Sequence, residues 1–374
     1  MKRLAVVRDF REELWPSMDL VADKLLEHWP ADSGYPKAVD LDLGYRRLAT
    51  QLPLVGSSRF ARNFDRARNR YRLLPSYLRT LRDDFAYFHV ADHSYAHLVH
   101  ELPAERTGVY CHDLDAFRSL IDPATEPRGK VFRRIAGRIL TGLQRAAVVF
   151  HNSRAVGDSL VAYGLLPRKR LCWAPLGVDL TADGSNDAAS MSLTAKLPSS
   201  PYLLHVGTCI PRKRIEVLLD VFAAVRRERP DLKLVKAGTP WTAEQQRQID
   251  DLNLAPHVIH LGLVERGALP KIYRDAAAVL VPSEAEGFGL PVIEALAEGA
   301  PVVASDIPTL REAGGPEAAY VGVGDIEAWK VAVLCCLQTP RDPAMVAARR
   351  RWAGQYSWPR HAQIIADAYR RLAV

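Results

Sequence analysis

The chain has 374 residues, 48% of them hydrophobic and 25% charged, with a formal net charge of +7. That length asks for two domains, and that composition excludes a disordered or membrane-embedded chain. The excess charge lies in one half: residues 1–179 hold 28 Lys/Arg against 21 Asp/Glu, residues 180–374 hold 22 of each, so the halves are expected to meet different partners.

Met1 to Arg8 is too short an apolar run for a signal peptide, and no stretch of about 18 apolar residues follows. The expected location is the cytoplasm, at most peripheral on the inner face of the plasma membrane. Leu4 to Val7 reads as a strand. Ser17 reads as the N-cap of a helix over Met18 to Glu27. Trp15 fits a buried packing position, the reading favoured here, or a ring stacked on a sugar. Ser58 to Arg82 carries eight arginines against one acid, Asp65, and Arg128 to Arg145 carries six basic residues and no acid. In the latter, Phe132, Ile135, Ile139 and Leu143 share a helix face. Such stretches suit a solvated surface over a packed helix, or anionic lipid headgroups. No nucleic-acid motif accompanies them, so no nucleic acid is expected as a partner. Gly108 to Tyr110 is a strand running into Cys111-His112-Asp113, and Ala146 to Phe150 is another, feeding a helix N-cap at His151-Asn152-Ser153.

Ala182 to Pro201 is poor in large apolar residues and reads as a linker. Beyond it, strands are expected at Tyr202–Gly207, Leu232–Gly238, Val258–Gly262, Ala278–Val281 and Pro301–Ala304, with helices between them. That alternation means βαβ units and a parallel sheet. A last helix is expected over Trp358 to Leu372. The five cysteines match no metal spacing, and their odd count argues for reduced, mostly buried thiols.

Two segments carry chemistry. Pro282 to Ala295 follows a strand, passes Gly287 and Gly289, and enters a helix with Pro291 in its first turn, where a missing N–H costs nothing. Backbone amides of Phe288, Gly289 and Leu290 at such a helix start make an anion site, flanked by Glu286 and Glu294. Gly207-Thr208-Cys209-Ile210-Pro211-Arg212-Lys213-Arg214 places cations after a strand, where they would stabilise a departing phosphate. In the first half, His112 is suited to positioning hydroxyls or moving a proton, or it is satisfied by local backbone.

Together these residues resemble the retaining GT-B glycosyltransferases of the family 4 type, whose signature of two glutamates separated by seven residues matches Glu286 to Glu294. The resemblance implies an α/β fold of two Rossmann-like domains with parallel sheets facing a cleft. It implies an acceptor domain over 1–179, a linker over 180–200, a nucleotide-sugar domain over 201–355, and a helix over 356–374 packing back toward the first domain. It assigns catalysis to His112, Arg212, Lys213 and Glu286. Donor binding falls to Gly207, Thr208, Arg212, Lys213, Gly287, Phe288, Gly289, Leu290 and Glu294, and the acceptor side to Trp15, Ser17 and Asp113. Arg214 stands where the family more often has Asn or Gly and receives no role. The glycine-rich acceptor loop usual after the first strand is absent. No cofactor and no metal are implied, and Asp113-Leu114-Asp115 is discounted as a metal motif. The expected reaction is transfer of a hexose from a nucleotide-diphosphate sugar to a glycan or lipid-linked acceptor. The Gly-Thr-x-x-Pro-Arg-Lys loop resembles mannosyltransferases of cell-surface polysaccharide assembly. The alternatives are a sugar-nucleotide epimerase on the same fold and a non-catalytic nucleotide-sugar binding protein.

Overall fold

Among the described residues, every strand pairing in the computed structural model is parallel, in two sheets of six strands. The structure describes residues 2–32, 34–53, 56–179 and 196–372. The expected linker therefore lies mostly outside the described residues.

The chain divides into two units, Met1–Gly177 with Trp358–Val374, and Val178–Ser357. The first unit's strands are β1 (Arg3–Val7), β2 (Lys37–Leu41), β3 (Tyr87–Val90), β4 (Thr107–Cys111), β5 (Val148–His151) and β6 (Leu171–Trp173), in sheet order β2-β1-β3-β4-β5-β6. The second unit holds β7 (Tyr202–Val206), β8 (Lys233–Ala237), β9 (Val258–Gly262), β10 (Ala278–Val281), β11 (Val302–Ser305) and β12 (Ala319–Val321), in order β12-β11-β10-β7-β8-β9. Strands β3, β4 and β5, and β10 and β11, are buried along their whole length, as parallel strands covered on both faces must be.

These orders fix where ligands can bind. Strand order reverses between β1 and β3 in one unit and between β7 and β10 in the other. At such a switch point the loops leaving the carboxyl ends of the two strands part in opposite directions and open a crevice.

The helix Trp358–Arg371 completes the first unit. Tyr369 Oη donates to the Phe88 carbonyl at 2.9 Å. Gly108 on β4 is glycine because a Cβ there would lie 2.4 Å from that same hydroxyl. His361 Nδ1 lies 3.0 Å from the Pro175 carbonyl, and the Tyr35 hydroxyl donates to Asp367 at 2.9 Å.

Three expectations need correction. The first helix is Pro16–Glu27, not Met18–Glu27, and Ser17 is an exposed first-turn residue whose side chain caps nothing. Pro16 opens the helix because its fixed φ and missing N–H suit the first position. Trp15 is 43% exposed rather than packed, and follows the exposed Leu14, which takes a left-handed φ of 59°. The cysteines are free, but only Cys111 and Cys209 are buried, and Cys335 is exposed.

Candidate active site

In the second unit the crevice at the switch point is lined by the loop after β7 and the loop after β10. Gly207, Thr208 and Cys209 lead from β7 into a 3-10 turn at Pro211–Lys213. Arg214 then takes a left-handed φ of 50° to enter the helix Ile215–Arg226. The residue left without a role therefore has a structural one. Its guanidinium contacts Glu216 and, at 3.1 Å, Glu284, bracing the unusual backbone turn across both loops. The Glu284 amide also donates to the Arg212 carbonyl at 2.9 Å.

Glu286 joins the two loops chemically. Its carboxylate accepts from Lys213 Nζ at 2.5 Å and Ser283 Oγ at 2.8 Å, and lies 3.5 Å from Arg212 Nη1. Arg212 Nη1 also donates to the Ala285 carbonyl at 3.1 Å. The Glu286 side chain is 7% exposed. Burial alone would raise its pKa, but the Lys213 and Arg212 charges and the two hydrogen bonds outweigh it, holding the carboxyl below its ordinary value. Two cations and one anion sit together, leaving a net positive charge at the crevice.

Beneath this loop lie groups that sequence reasoning missed. His205 is fully buried. Its Nδ1 lies 3.0 Å from the Leu280 carbonyl, and Nε2 has no hydrogen-bond partner among the described residues. Burial, with Lys213 and Lys236 nearby, depresses its pKa to about 4, so it is neutral. Lys236, 0% exposed, donates to the Thr239 carbonyl at 2.5 Å. The only signal for it was a lysine inside an apolar strand pattern. Gly238, at φ +130°, brings its own backbone so near the β7 loop that a Cβ would lie 1.9 Å from the Gly207 carbonyl oxygen.

The other half of the segment behaves differently. Gly289 caps the helix Leu290–Ala297 at φ 99°, and a Cβ there would also meet Leu310 at 2.9 Å. Gly287 and Gly289 are buried, and Phe288 packs edge-to-face on Tyr356 with centroids 5.5 Å apart. Glu294 has both carboxylate oxygens engaged, by Arg266 at 2.8 Å and by the buried Tyr273 hydroxyl at 2.9 Å. The structure thus brings Arg212, Lys213 and Glu286 into contact, while Glu294 is held from the far side by a tyrosine and an arginine that the motif did not reveal.

In the first unit, the loops after β1 and β3 flank the other switch point. Asp9 is 7% exposed, with Oδ2 unpartnered among the described residues; burial and the nearby Asp92 raise its pKa well above the usual range. The Glu13 side chain is 2% exposed and holds the loop by accepting from the Tyr95 hydroxyl at 2.8 Å and pairing with Arg66 at 2.9 Å and Arg70 at 3.3 Å. The arginine-rich stretch is therefore partly internal. Arg70 is 6% exposed, within a π-helical turn at Asn69–Leu73, and lies over the Tyr95 ring at 4.1 Å. His112, after β4, is 3% exposed, with Nε2 2.9 Å from the Ala91 carbonyl and Nδ1 unpartnered among the described residues. Burial lowers its pKa despite Asp92. Its neighbour is His93, set between Asp92 at 3.1 Å and Asp113 at 3.6 Å. Those carboxylates raise the His93 pKa against the effect of burial. Sequence reasoning missed Asp9, Asp92 and His93, which no motif marks.

Among the described residues no helix is long and apolar enough to cross a membrane. None of their His, Cys, Asp and Glu side chains form a group of three or more placed to hold a metal ion.

Residues 193–350 match the family model described as glycosyl transferases group 1. The chain is 30% identical to a D-inositol 3-phosphate glycosyltransferase of Segniliparus rotundus over 59% of its own length, and spans 51% of that relative. It is 28% identical to the O-antigen chain mannosyltransferase B of Escherichia coli over 74% of this chain and 72% of that one. Among solved structures, Anabaena HepE in complex with UDP-glucose superposes with TM-score 0.72 at 18% identity, covering 98% of this chain and 99% of that one. A sucrose-phosphate synthase from Thermosynechococcus elongatus superposes at 0.71, also at 18% identity, covering 100% and 99%. The fold is GT-B.

Proposed function

We propose that this chain, whose residues 193–350 carry a group 1 glycosyltransferase domain, is a retaining transferase that moves a hexose from a nucleotide-diphosphate sugar to a glycan or lipid-linked acceptor. GDP-mannose is the favoured donor, with a UDP-sugar as the alternative. The named activity of the O-antigen relative supports the former, and the UDP-glucose bound to HepE supports the latter. The observation that carries the reading is the Arg212–Lys213–Glu286 contact at the switch point between β7 and β10.

The chemistry follows from those groups. The bond between the anomeric carbon and the diphosphate oxygen breaks, and Arg212 and Lys213 neutralise the charge gathering on the leaving phosphate. Stabilising charge that grows only in the transition state accelerates the step rather than merely tightening binding. The acceptor oxygen bonds to the same face of the sugar, and its proton passes to the leaving phosphate oxygen. Glu286, ionised and fixed by Ser283, keeps both cations in place and offers its carboxylate to sugar hydroxyls. Glu294 serves the ribose, its second lone pairs remaining after Tyr273 and Arg266. With two fixed cations at the phosphates, we assign no role to a metal. The unpartnered Nδ1 of His112 is assigned to a sugar hydroxyl. The first unit, with its excess positive charge, is assigned the acceptor.

The test is titration calorimetry with GDP, UDP, GDP-mannose and UDP-glucose in the presence of EDTA. Micromolar binding of one nucleotide series is expected. Absence of binding to all four, or binding only when divalent metal is restored, would refute the reading. Turnover of donor without any acceptor would favour the epimerase.

A further inference from the structure

The helix face formed by Phe132, Ile135, Ile139 and Leu143 is divided in the structure. In the helix Lys130–Arg145, Ile139 and Leu143 join the buried core, but Phe132 is 46% and Ile135 36% exposed, and Val131 beside them is 75% exposed. An apolar stripe thus runs out of the core into solvent. Cations flank it, Arg128 over the Phe132 ring at 5.5 Å, then Lys130, Arg133 and Arg134, and the helix itself carries no acid.

Beside the exposed stripe is an open cavity of about 520 Å³, lined by Tyr71, His97, His100, Arg134, Ile135 and Arg138. Burial depresses the His97 pKa to about 4 and lowers that of His100, so the positive charge here belongs to the arginines. Arg138 has an exposed pairing with Glu101 at 3.3 Å. Gly137 also lines the cavity, and a Cβ there would meet nothing within 4 Å. Glycine weakens a helix interior, and packing does not require it at this position. By contrast, a Cβ at Gly142 would lie 2.0 Å from the Ala96 carbonyl oxygen.

We propose that this face docks on an anionic phospholipid surface, with Val131, Phe132 and Ile135 entering the headgroup layer and one lipid phosphate held between Arg134 and Arg138. The occupant follows from complementarity. Arginine forks match phosphate oxygens, and an apolar stripe bordered by cations, on a helix that itself carries no acid, is the signature of a helix lying in a membrane interface. Its role, presenting the enzyme to a lipid-linked acceptor, rests on the transferase reading above.

The experiment is flotation of the full chain with phosphatidylcholine vesicles, with and without phosphatidylglycerol, at low salt. The wild type is expected to float only with the anionic vesicles. Arg134→Glu with Arg138→Glu should lower partitioning by about tenfold or more. Phe132→Ser with Ile135→Ser, which removes the apolar stripe and leaves every charge in place, should lower it as well. No flotation of the wild type, equal flotation with both vesicles, unchanged binding by either variant, or retention on a single-stranded oligonucleotide instead would each overturn the proposal. Nucleotide affinity measured on the Arg134/Arg138 variant keeps the two readings apart. Lost flotation with intact nucleotide binding belongs to this face, whereas a wild type that floats yet binds no nucleotide sinks the transferase reading alone.

Discussion

Replacing Lys213 by methionine removes one partner of a buried ion pair while keeping most of the side-chain volume. Breaking such a pair typically costs about 3–5 kcal/mol, because the remaining charge is stranded. Here Glu286 keeps Ser283 at 2.8 Å and Arg212 at 3.5 Å, and these two contacts offset about 1–2 kcal/mol. A loss of about 2 kcal/mol remains, equivalent to a fall in Tm of about 4–8 °C for a unit of this size. The pH dependence carries the sharper test. The Glu286 pKa is held below its unfolded value, so its contribution to stability is present above the unfolded pKa and disappears as pH falls through the folded one. The gap between wild type and variant should therefore be full at pH 7.5 and shrink toward pH 4, where the carboxyl protonates more readily without Lys213. Thermal melts of both proteins across that range, followed by intrinsic fluorescence, measure it. A gap of equal size at both ends would refute the account of Glu286 as an ionised carboxylate held by these cations. Turnover of the variant should fall by at least about 10²-fold, the scale of losing a charge at a developing anion.

Two further substitutions address the same crevice. Glu294→Gln keeps an acceptor for Tyr273, so stability should change by less than about 1 kcal/mol, while nucleotide affinity drops about tenfold as a charged acceptor for the ribose is lost; calorimetry showing equal affinity would remove the ribose assignment. Gly238→Ala must either shift the Gly207 carbonyl or abandon φ +130°, and should destabilise by about 2–4 kcal/mol in urea melts. Native stability in that variant would show that the two loops do not approach as described.

The second unit was legible because its strands are apolar runs, two of them buried along their whole length, and its turns are punctuated by glycine. The strands at Val258–Gly262 and Ala278–Val281 end where the apolar runs end, and the helix of the glutamate motif begins within a residue of Pro291. The motif also placed Arg212, Lys213 and Glu286 in one contact. The first unit was harder. Strand β2 is only half-buried and lacks the apolar run that marks a parallel strand. Ser17 offered a capping side chain, yet Pro16 set the helix start. Local spacing could not show that Arg70 turns inward, because its reason is Glu13, 57 residues away. Asp9, Asp92 and His93 meet only through sheet order, which pattern reading does not supply.

The helix Trp358–Arg371 has a consequence for how the protein is made. Its Tyr369 occupies the space that Gly108 leaves open and bonds to Phe88, so the sheet of the first unit lacks part of its interior until that helix has left the ribosome. Residues 178–357 emerge meanwhile as a continuous stretch with a sheet of their own. The later-encoded unit is thus able to mature ahead of the earlier one, which must wait, incompletely closed, for the helix encoded after both.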